Sequence, residues 1–399
     1  MSIQSIRIIT NRRNGIANAD ITDFNTAWAK KVRKYHDSFP EYAETPLCEL
    51  RSLSEYLDLG SVFVKDESKR FGLNAFKVLG GSYCLGRLLA EIAGIPEREM
   101  TYSRLIQPDV KDIAEKLTVV TATDGNHGRG IAWSAKQFGM HAVVYMPQGS
   151  AQERLENIRK LGAEAEITDC NYDATVLLAE KTAKENGWML VQDTAWPGYE
   201  RIPSLIMQGY TTMAKECVEQ LGEEIPTHIF LQAGVGAMAG ALTAFFTDYY
   251  HEKKPRIAIV EPDGADCLFR TAEAADGKLH PVSNLNTIMA GLCCGLPCTL
   301  GWNILSEHAD YFVSVPDLIA AKGMRILSSP LSEDPRIISG ESGAVTVGVI
   351  AEIAKNPAYS DIREILGLDA NSKVLCISTE GDTDPENYRR IVWDGAYHS

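Results

Sequence analysis

The feature that most constrains the fold is the regular alternation of short β-branched runs with segments of helical pattern, from about residue 60 onward. Helical patterns such as GRGIAWSAKQFG and QERLENIRKLG separate most of the runs. Strands that alternate with helices in this way form parallel βαβ units. The sequence therefore predicts an α/β protein with mostly parallel sheets. The strand candidates are SVFVKD, LTVVTAT, AVVYMP, AEITDC, WMLVQDT, THIFLQAG, RIAIVEP and KVLCIST.

The chain length predicts more than one small core. A chain of 399 residues favours either two domains or one large α/β unit. The segment from about residue 89 to 190 contains a complete set of strands and helices of its own. We therefore predict a small inserted α/β domain at 89–190, within a larger domain made of residues 1–88 and 191–399.

Composition excludes several classes of partner. The formal net charge of −14 argues against binding to nucleic acid or to an anionic membrane. Neither a signal peptide nor a stretch long enough to span a bilayer is apparent. Nine scattered cysteines argue against a disulfide framework, and none of them shows zinc-site spacing. These features predict a cytoplasmic, reduced protein without a metal site.

Turns that could carry chemistry follow four of the predicted strands. They are TATDGNHG, VQDTAW, LQAGVGAMAG and CISTEGDTD. Ligands of parallel sheets bind at the carboxyl ends of the strands. We therefore expect the functional residues of this chain among these turns.

The glycine-rich turn GVGAMAG is the first candidate for an anion site. Small residues between a strand and a helix let backbone N–H groups face a phosphate. A tight packing turn would explain the glycines equally well. Glu261 lies 21 residues after Gly240, so a dinucleotide-binding Rossmann dehydrogenase is also compatible with this turn.

A lysine in the string KDESKRFGLNAFKVLGG is the second candidate. The string contains Lys65, Lys69 and Lys77, and most lysines are solvated surface charges. Lys77 instead lies between Phe76 and Val78 and is followed by two glycines. A lysine held among apolar and small residues can lose its proton and act as a nucleophile.

The motifs of this chain, in the order in which they occur along it, resemble those of the fold-type II pyridoxal-phosphate enzymes, the relatives of tryptophan synthase β and threonine dehydratase. The chain has the lysine of AFK, the turn GNHG, a glycine-rich loop after a predicted strand, and a serine at the end of the last predicted strand. Longer strings, including TATDGNHGRG, YMPQGSAQER, VQDTAW and RIISGESGAV, resemble the diaminopropionate ammonia-lyases of that group. The resemblance covers roughly residues 40 to 395. It implies two three-layer α/β domains, an active site in the cleft between them, and a homodimer.

The resemblance also implies a layout for pyridoxal 5'-phosphate, with residues 1–88 and 191–399 as the cofactor-binding domain. Lys77 would form the Schiff base, and Asn126 would bind the phenolate oxygen. Ser378, or less favourably Thr379, would meet the pyridine nitrogen; a neutral hydroxyl there suits elimination better than transamination. The phosphate would lie on the backbone of Gly234, Val235, Gly236, Ala237, Met238 and Ala239.

Asp124 departs from the wider group, in which related dehydratases commonly carry a serine before the GN of this turn. An Asx-turn or a helix N-cap would explain an ordinary aspartate here. The resemblance instead favours a catalytic base. The implied substrate is 2,3-diaminopropionate, and the products are pyruvate and two ammonia. We predict that Asp124 takes the Cα proton of the D isomer and Lys77 that of the L isomer.

A second acid and the same turn would bind the rest of the substrate. Asp193 could bind the β-ammonium group and share in proton handling, or it could be a buried capping residue. The substrate carboxylate would lie on the turn formed by Ala122, Thr123, Gly125 and His127, where N–H groups converge.

Three alternative functions remain open from the sequence. A serine or threonine dehydratase, or a β-replacement enzyme, would keep the cofactor and change the substrate. A non-catalytic small-molecule binding module would keep only the fold, but the lysine and both acids argue against it. The Rossmann dehydrogenase is the least favoured.

Overall fold

A computed structural model describes residues 5–13 and 19–398 of the chain. Clustering of the backbone divides the chain into two units. One unit consists of residues 1–25, 45–69 and 216–399, and the other of residues 26–44 and 70–215. We call them the seven-stranded unit and the four-stranded unit, after the strands that each contains among the described residues. The predicted assignment of domain roles stays a prediction.

The seven-stranded unit contains a mixed sheet in the order β1-β10-β9-β8-β11-β3-β2. Its inner strands run parallel, whereas the edge strands β1 and β2 are antiparallel to their neighbours. Every residue of the inner strands β8 and β10 is buried, as expected for strands covered on both faces. The strands are β1 (Arg7–Thr10), β2 (Leu47–Glu49), β3 (Ser61–Asp66), β8 (His228–Gln232), β9 (Arg256–Pro262), β10 (Tyr311–Val315) and β11 (Lys373–Ser378).

The four-stranded unit contains an all-parallel sheet in the order β6-β5-β4-β7. Its small core includes Val120, Val143 and Ala179. The strands are β4 (Thr118–Ala122), β5 (His141–Met146), β6 (Glu164–Ile167) and β7 (Met189–Leu190). The prediction of an α/β protein with mostly parallel sheets is confirmed.

Helices connect the strands in both units. Those of the four-stranded unit are α1 (Thr26–His36), α3 (Val78–Ile92), α4 (Tyr102–Leu105), α5 (Pro108–Ala114), α6 (Asn126–Phe138), α7 (Gln152–Arg159), α8 (Tyr172–Asn186) and α9 (Arg201–Leu221); clustering places the last residues of α9 in the other unit. Those of the seven-stranded unit are α2 (Arg51–Leu57), α10 (Ala237–Tyr250), α11 (Cys267–Ala274), α12 (Thr299–His308), α13 (Asp317–Ser328), α14 (Glu341–Lys355), α15 (Ser360–Leu366) and α16 (Pro385–Val392).

Two kinds of feature are absent from residues 5–13 and 19–398. No helix there combines the length and the apolar character that crossing a membrane requires. The same residues contain no group of three or more His, Cys, Asp or Glu side chains that could hold a metal ion.

Candidate active site

Lys77 directly precedes α3 in the four-stranded unit. Its backbone lies against α6: a Cβ atom at Gly130 would be only 3.0 Å from the Val78 nitrogen and 3.1 Å from the Lys77 carbonyl carbon. Only a residue without a side chain fits this approach. The helix that begins at Asn126 is therefore packed directly against the segment that carries Lys77.

Lys77 and Asp193 form an ion pair within this unit. The Lys77 Nζ donates a hydrogen bond to Asp193 Oδ2, and the two side chains are 20% and 9% exposed. Burial alone would lower the pKa of Lys77, but the charge of Asp193 raises that pKa well above its ordinary value. Burial alone would also raise the pKa of Asp193, but the charge of the neighbouring His127, when that ring is protonated, and the charge of Lys77 lower it to about 2. The pair is therefore ionised at neutral pH.

His127 is buried beside this pair. Its Nε2 lies 2.8 Å from the Val191 carbonyl oxygen, which can only accept, so Nε2 carries the proton. Burial lowers the pKa of His127 below its ordinary value. Its Nδ1 lies 3.8 Å from Asp193 Oδ2 and has no hydrogen-bond partner among the described residues. An unprotonated nitrogen and a carboxylate thus face each other, and both accept hydrogen bonds.

The turn between β4 and α6 carries Asp124 at its crest. The Thr123 hydroxyl accepts hydrogen bonds from the Gly125 and Gly128 N–H groups, at 2.9 and 3.1 Å. Gly125 has a φ of 152°, a conformation that favours glycine. The Asp124 side chain is 33% exposed. Thr123 therefore stabilises the turn, while its predicted contact with substrate stays a prediction.

Gln192 joins the ends of β4 and β7, although sequence reasoning did not assign it a role. Its buried side chain accepts a hydrogen bond from Ala122 N at 3.0 Å and donates one to Ala122 O at 2.9 Å. Its Oε1 also lies 3.1 Å from the Thr121 hydroxyl. Gln192 precedes Asp193, so this single side chain fixes one acid relative to the turn that carries the other, Asp124.

The glycine-rich turn of the seven-stranded unit lies between β8 and α10. Gly236 has a φ of 91° and precedes the helix. A Cβ atom at Gly234 would lie 3.1 Å from the Cys294 Sγ, so the chain at Gly234 leaves no space for a side chain. The first turn of α10 contains no acidic residue, and its N–H groups lack partners within the helix. The segment from Gly234 to Ala239 therefore fits a phosphate group.

The hydroxyl groups at the end of β11 belong to the same unit. The Ser378 Oγ is 2.7 Å from the Ser339 Oγ, and both side chains are completely buried. The Gln232 Nε2 donates to the Thr379 hydroxyl at 3.0 Å and to the Ile377 carbonyl oxygen at 2.8 Å. Both hydroxyls thus have hydrogen-bond partners within the unit, and the preference for Ser378 over Thr379 as the hydroxyl that meets a cofactor stays a prediction.

Glu261 does not fit the role that a dinucleotide site would give it. Its two carboxylate oxygens accept hydrogen bonds from the Leu268 and Phe269 N–H groups, at 2.8 and 2.7 Å. The side chain is completely buried, and burial raises the pKa of Glu261 well above its ordinary value. Its carboxylate caps α11 and is not available to a ribose hydroxyl, so the dehydrogenase alternative loses its support.

The supporting residues share one signal that sequence reasoning did not use. Gln192 and Gln232 are both buried polar residues at or just beyond the carboxyl ends of parallel strands, next to turns that were identified. The rule that ligands bind at strand ends could have selected them. Ser339 carries no such signal, because only the fold brings it to Ser378.

Comparison with known proteins agrees with this arrangement. The model of the family described as "Pyridoxal-phosphate dependent enzyme" matches residues 39–366. The chain is 49% identical to a diaminopropionate ammonia-lyase of Escherichia coli (strain K12) over 376 residues, which cover 94% of this chain and 93% of that protein. The resemblance predicted from the sequence motifs is confirmed.

Two solved structures of diaminopropionate ammonia lyase from Escherichia coli are similar over almost the whole chain. A complex with D-serine has a TM-score of 0.93, and a complex with an aminoacrylate-PLP azomethine reaction intermediate has a TM-score of 0.91. Each is 47% identical in sequence and covers 99% of this chain and 98% of its own. The chain belongs to the family of pyridoxal-phosphate dependent enzymes.

Proposed function

We propose that this chain eliminates ammonia from 2,3-diaminopropionate, in both its D and L isomers, and forms pyruvate and a second ammonia. The observation that carries the proposal is the presence of two carboxylates near one lysine. Asp193 is paired with Lys77, and the charge of Asp124 also raises the pKa of Lys77. The similarity to diaminopropionate ammonia-lyases supports the same substrate.

The residues that would hold pyridoxal phosphate fit the group. Lys77 would carry it, Asn126 would bind the phenolate oxygen, and Ser378 would meet the ring nitrogen. The turn from Gly234 to Ala239 would bind the phosphate. When bound, the cofactor supplies an electron sink for the charge that develops at Cα. The hydroxyl of Ser378 would leave the ring without a carboxylate partner, which favours elimination.

The β-ammonium group of the substrate would bind to Asp193. In the protein without substrate, the Lys77 ammonium occupies Asp193 Oδ2 and stands in for such a cation. Once the Lys77 amine is engaged by the cofactor, Asp193 would be left with the neutral His127 beside it. An ammonium group can donate to both Asp193 and the His127 Nδ1, whereas a hydroxyl group has only one proton to donate. This arrangement favours diaminopropionate over serine.

The two bases would serve different isomers. A proton on Cα points to opposite sides in the D and L isomers when the other substituents are held alike. Asp124 would accept it from the D isomer and Lys77 from the L isomer. The Cβ–N bond then breaks, ammonia leaves, and water converts the remaining aminoacrylate into pyruvate and the second ammonia. The turn from Ala122 to His127 would bind the carboxylate of both isomers.

The test is the release of pyruvate from each isomer by the parent enzyme and by Asp124→Asn. Because loss of a positioned base typically costs roughly 10²–10⁴-fold, we expect a loss in that range with the D isomer and less than about threefold with the L isomer. Asp169→Asn, at an exposed position, is the control. Equal losses with both isomers would refute the assignment of Asp124.

A serine or threonine dehydratase is the second candidate function. The solved relative that contains D-serine is the observation that keeps it open. Pyruvate release from D- and L-serine, measured beside diaminopropionate, decides between the two. A homodimer and a cytoplasmic location are further parts of the proposal, and light scattering of the purified protein would test the first.

A further inference from the structure

The string YMPQGSAQER is without a role in the function proposed above. It leads from β5 into α7, where Arg154 is the third residue. The Arg154 side chain is only 10% exposed. A Cβ atom at Gly125 would lie 2.9 Å from the Arg154 Cδ, so the arginine stem lies across the turn that carries Asp124. The φ of 152° at Gly125 favours glycine, and a side chain there would also displace the Arg154 stem.

The guanidinium group of Arg154 reaches the residue before that glycine. Its Nη1 lies 3.4 Å from the Asp124 carbonyl oxygen and 3.7 Å from Asp124 Oδ2. The same group thus contacts both the backbone and the side chain of Asp124. Lys77, which precedes α3, is another cation that interacts electrostatically with Asp124. Arg154 and Asp124 belong to the same unit.

We propose that Arg154 is a positioning residue for Asp124, and that it determines the activity of the enzyme on the D isomer. The inference rests on the proposed function, in which Asp124 is the base for that isomer. A base must be ionised and aimed at the proton that it accepts. A guanidinium group is rigid and always charged, so it can hold a partly exposed carboxylate in one orientation.

In the proposed chemical step, the Cα proton of the D isomer moves to Asp124 and not to Arg154. The Cα–H bond of the D isomer breaks, its electron pair stays with the substrate, and the proton moves to a carboxylate oxygen of Asp124. Arg154 keeps its own protons throughout, because a guanidinium group does not lose them in proteins. The L isomer uses Lys77, so its turnover does not require Arg154.

The experiment compares kcat and KM for both isomers in Arg154→Met, Arg154→Lys and the holoenzyme. In Arg154→Met, we expect kcat for the D isomer to fall roughly 10- to 100-fold, part of the loss typical of a missing base. We expect kcat for the L isomer and both KM values to stay within about twofold. Arg154→Lys keeps the charge and should recover part of the D activity. Arg159→Met, at a half-exposed position of the same helix, is the control.

A binding measurement separates positioning from direct contact with the substrate. D- and L-alanine have no β leaving group, so their affinity for the holoenzyme can be measured by calorimetry. We expect Arg154→Met to leave both affinities within about twofold. If both affinities fall, or if both KM values rise, Arg154 binds the substrate carboxylate and the inference is wrong. Thermal unfolding of Arg154→Met and Arg154→Lys shows whether each variant is folded.

A double variant distinguishes this inference from the proposed function. In the Asp124→Asn background, Arg154→Met should cause no further loss with the D isomer, because two residues that act as one unit are not additive. A further D-specific loss would overturn the inference. A D-specific loss in Asp124→Asn but not in Arg154→Met would also overturn it while leaving the proposed function intact. Absence of a D-specific loss in Asp124→Asn would refute the base assignment itself.

Discussion

The residues proposed to function in the two units are different kinds of polar group. In the four-stranded unit they have titratable side chains, which we call the charged cluster although His127 is neutral: Lys77, Asp124, His127, Arg154 and Asp193. In the seven-stranded unit, the groups proposed to hold the cofactor and their supports are amides, hydroxyls and backbone N–H groups, which we call the neutral cluster: Gln232, residues 234–239, Ser339, Ser378 and Thr379. Buried charges shift one another's pKa values strongly, whereas hydroxyls and amides do not titrate near neutral pH. The contrast teaches that substitutions in the charged cluster should change chemistry, and those in the neutral cluster only binding.

The largest effect is expected from Lys77→Met. Because this residue would carry the cofactor and serve as the base for the L isomer, turnover of both isomers should fall on the order of 10⁴-fold, the upper end for loss of an acid–base group. Lys69→Met, at an exposed lysine, is the control. Borohydride should fix the cofactor to the parent and to Lys69→Met, but not to Lys77→Met. Turnover within tenfold of the parent would contradict the role of Lys77.

Asp193→Asn should change the choice between ammonium and hydroxyl substrates. Two unit charges 4 Å apart attract by about 4 kcal/mol at an effective dielectric of about 20, before desolvation is subtracted. We expect kcat/KM for diaminopropionate to fall about 100-fold, which corresponds to about 2.7 kcal/mol. The value for serine should change less than threefold. An equal loss with both substrates would show that Asp193 does not recognise the ammonium group.

The pH at which the apoprotein takes up its cofactor should also depend on Asp193. The Lys77 amine must lose its proton before it can act as a nucleophile, and Asp193 raises the pKa of Lys77. In Asp193→Asn, burial remains and lowers that pKa. The pH at which the apoprotein takes up pyridoxal phosphate at half its maximal rate should therefore fall, although Tyr210 and Asp124 still raise the pKa of Lys77. We would follow the absorbance of the bound cofactor, and an unchanged or higher pH would contradict the prediction.

The ion pair of Lys77 and Asp193 should stabilise the folded protein only over a defined pH range. The pKa of Asp193 in the folded protein is about 2, below its ordinary value of 3.8. Its contribution to stability is therefore complete above about pH 4 and is lost as the pH falls toward 2. In thermal unfolding of the apoprotein, the difference between parent and Asp193→Asn should narrow over that range. A difference that widened on acidification would be inconsistent with this pair.

The smallest effect is expected in the neutral cluster. Ser339→Ala removes the hydroxyl that lies 2.7 Å from Ser378, and one neutral hydrogen bond contributes about 0.5–1.5 kcal/mol. Affinity for pyridoxal phosphate should fall about three- to tenfold, while the pH profile of turnover stays the same. Ser339→Thr should retain most of the affinity, and Ser360→Ala, at an exposed serine, is the control. A shifted pH profile would show that the neutral cluster also changes the chemistry, and would contradict the distinction between the two clusters.

The sequence predicted most of the fold because the inner strands are apolar runs. SVFVKD and RIAIVEP coincide with β3 and β9. The strands that the sequence did not indicate have physical reasons in common. β1 and β2 are antiparallel edge strands of four and three residues, too short to show a period. β10 is a buried run of five residues, and periodicity alone cannot distinguish such a run from part of a helix.

The residues proposed to react were predictable for a different reason than the residues that support them. Lys77, Asp124 and Asp193 lie within strings that resemble a known family, and this resemblance indicates them even though an ordinary surface charge or cap would also explain each residue type. Arg154 and Ser339 act on residues 30 and 39 positions away, and nothing in their own neighbourhoods predicts such a contact. Only the fold brings these partners together.

Replacement of Gln192 is one way in which the proposed activity could be lost during evolution. The β7 ladder contains only two residues, and the side chain of Gln192 continues the connection to β4. A descendant that replaced this one glutamine would differ by one residue in VQDTAW and would keep the other diagnostic strings and every residue proposed to react. Its two acids would nevertheless no longer be held at a fixed separation. Relatives that have drifted to inactivity can therefore look nearly intact in sequence, and the residue at this strand end is the position to inspect first.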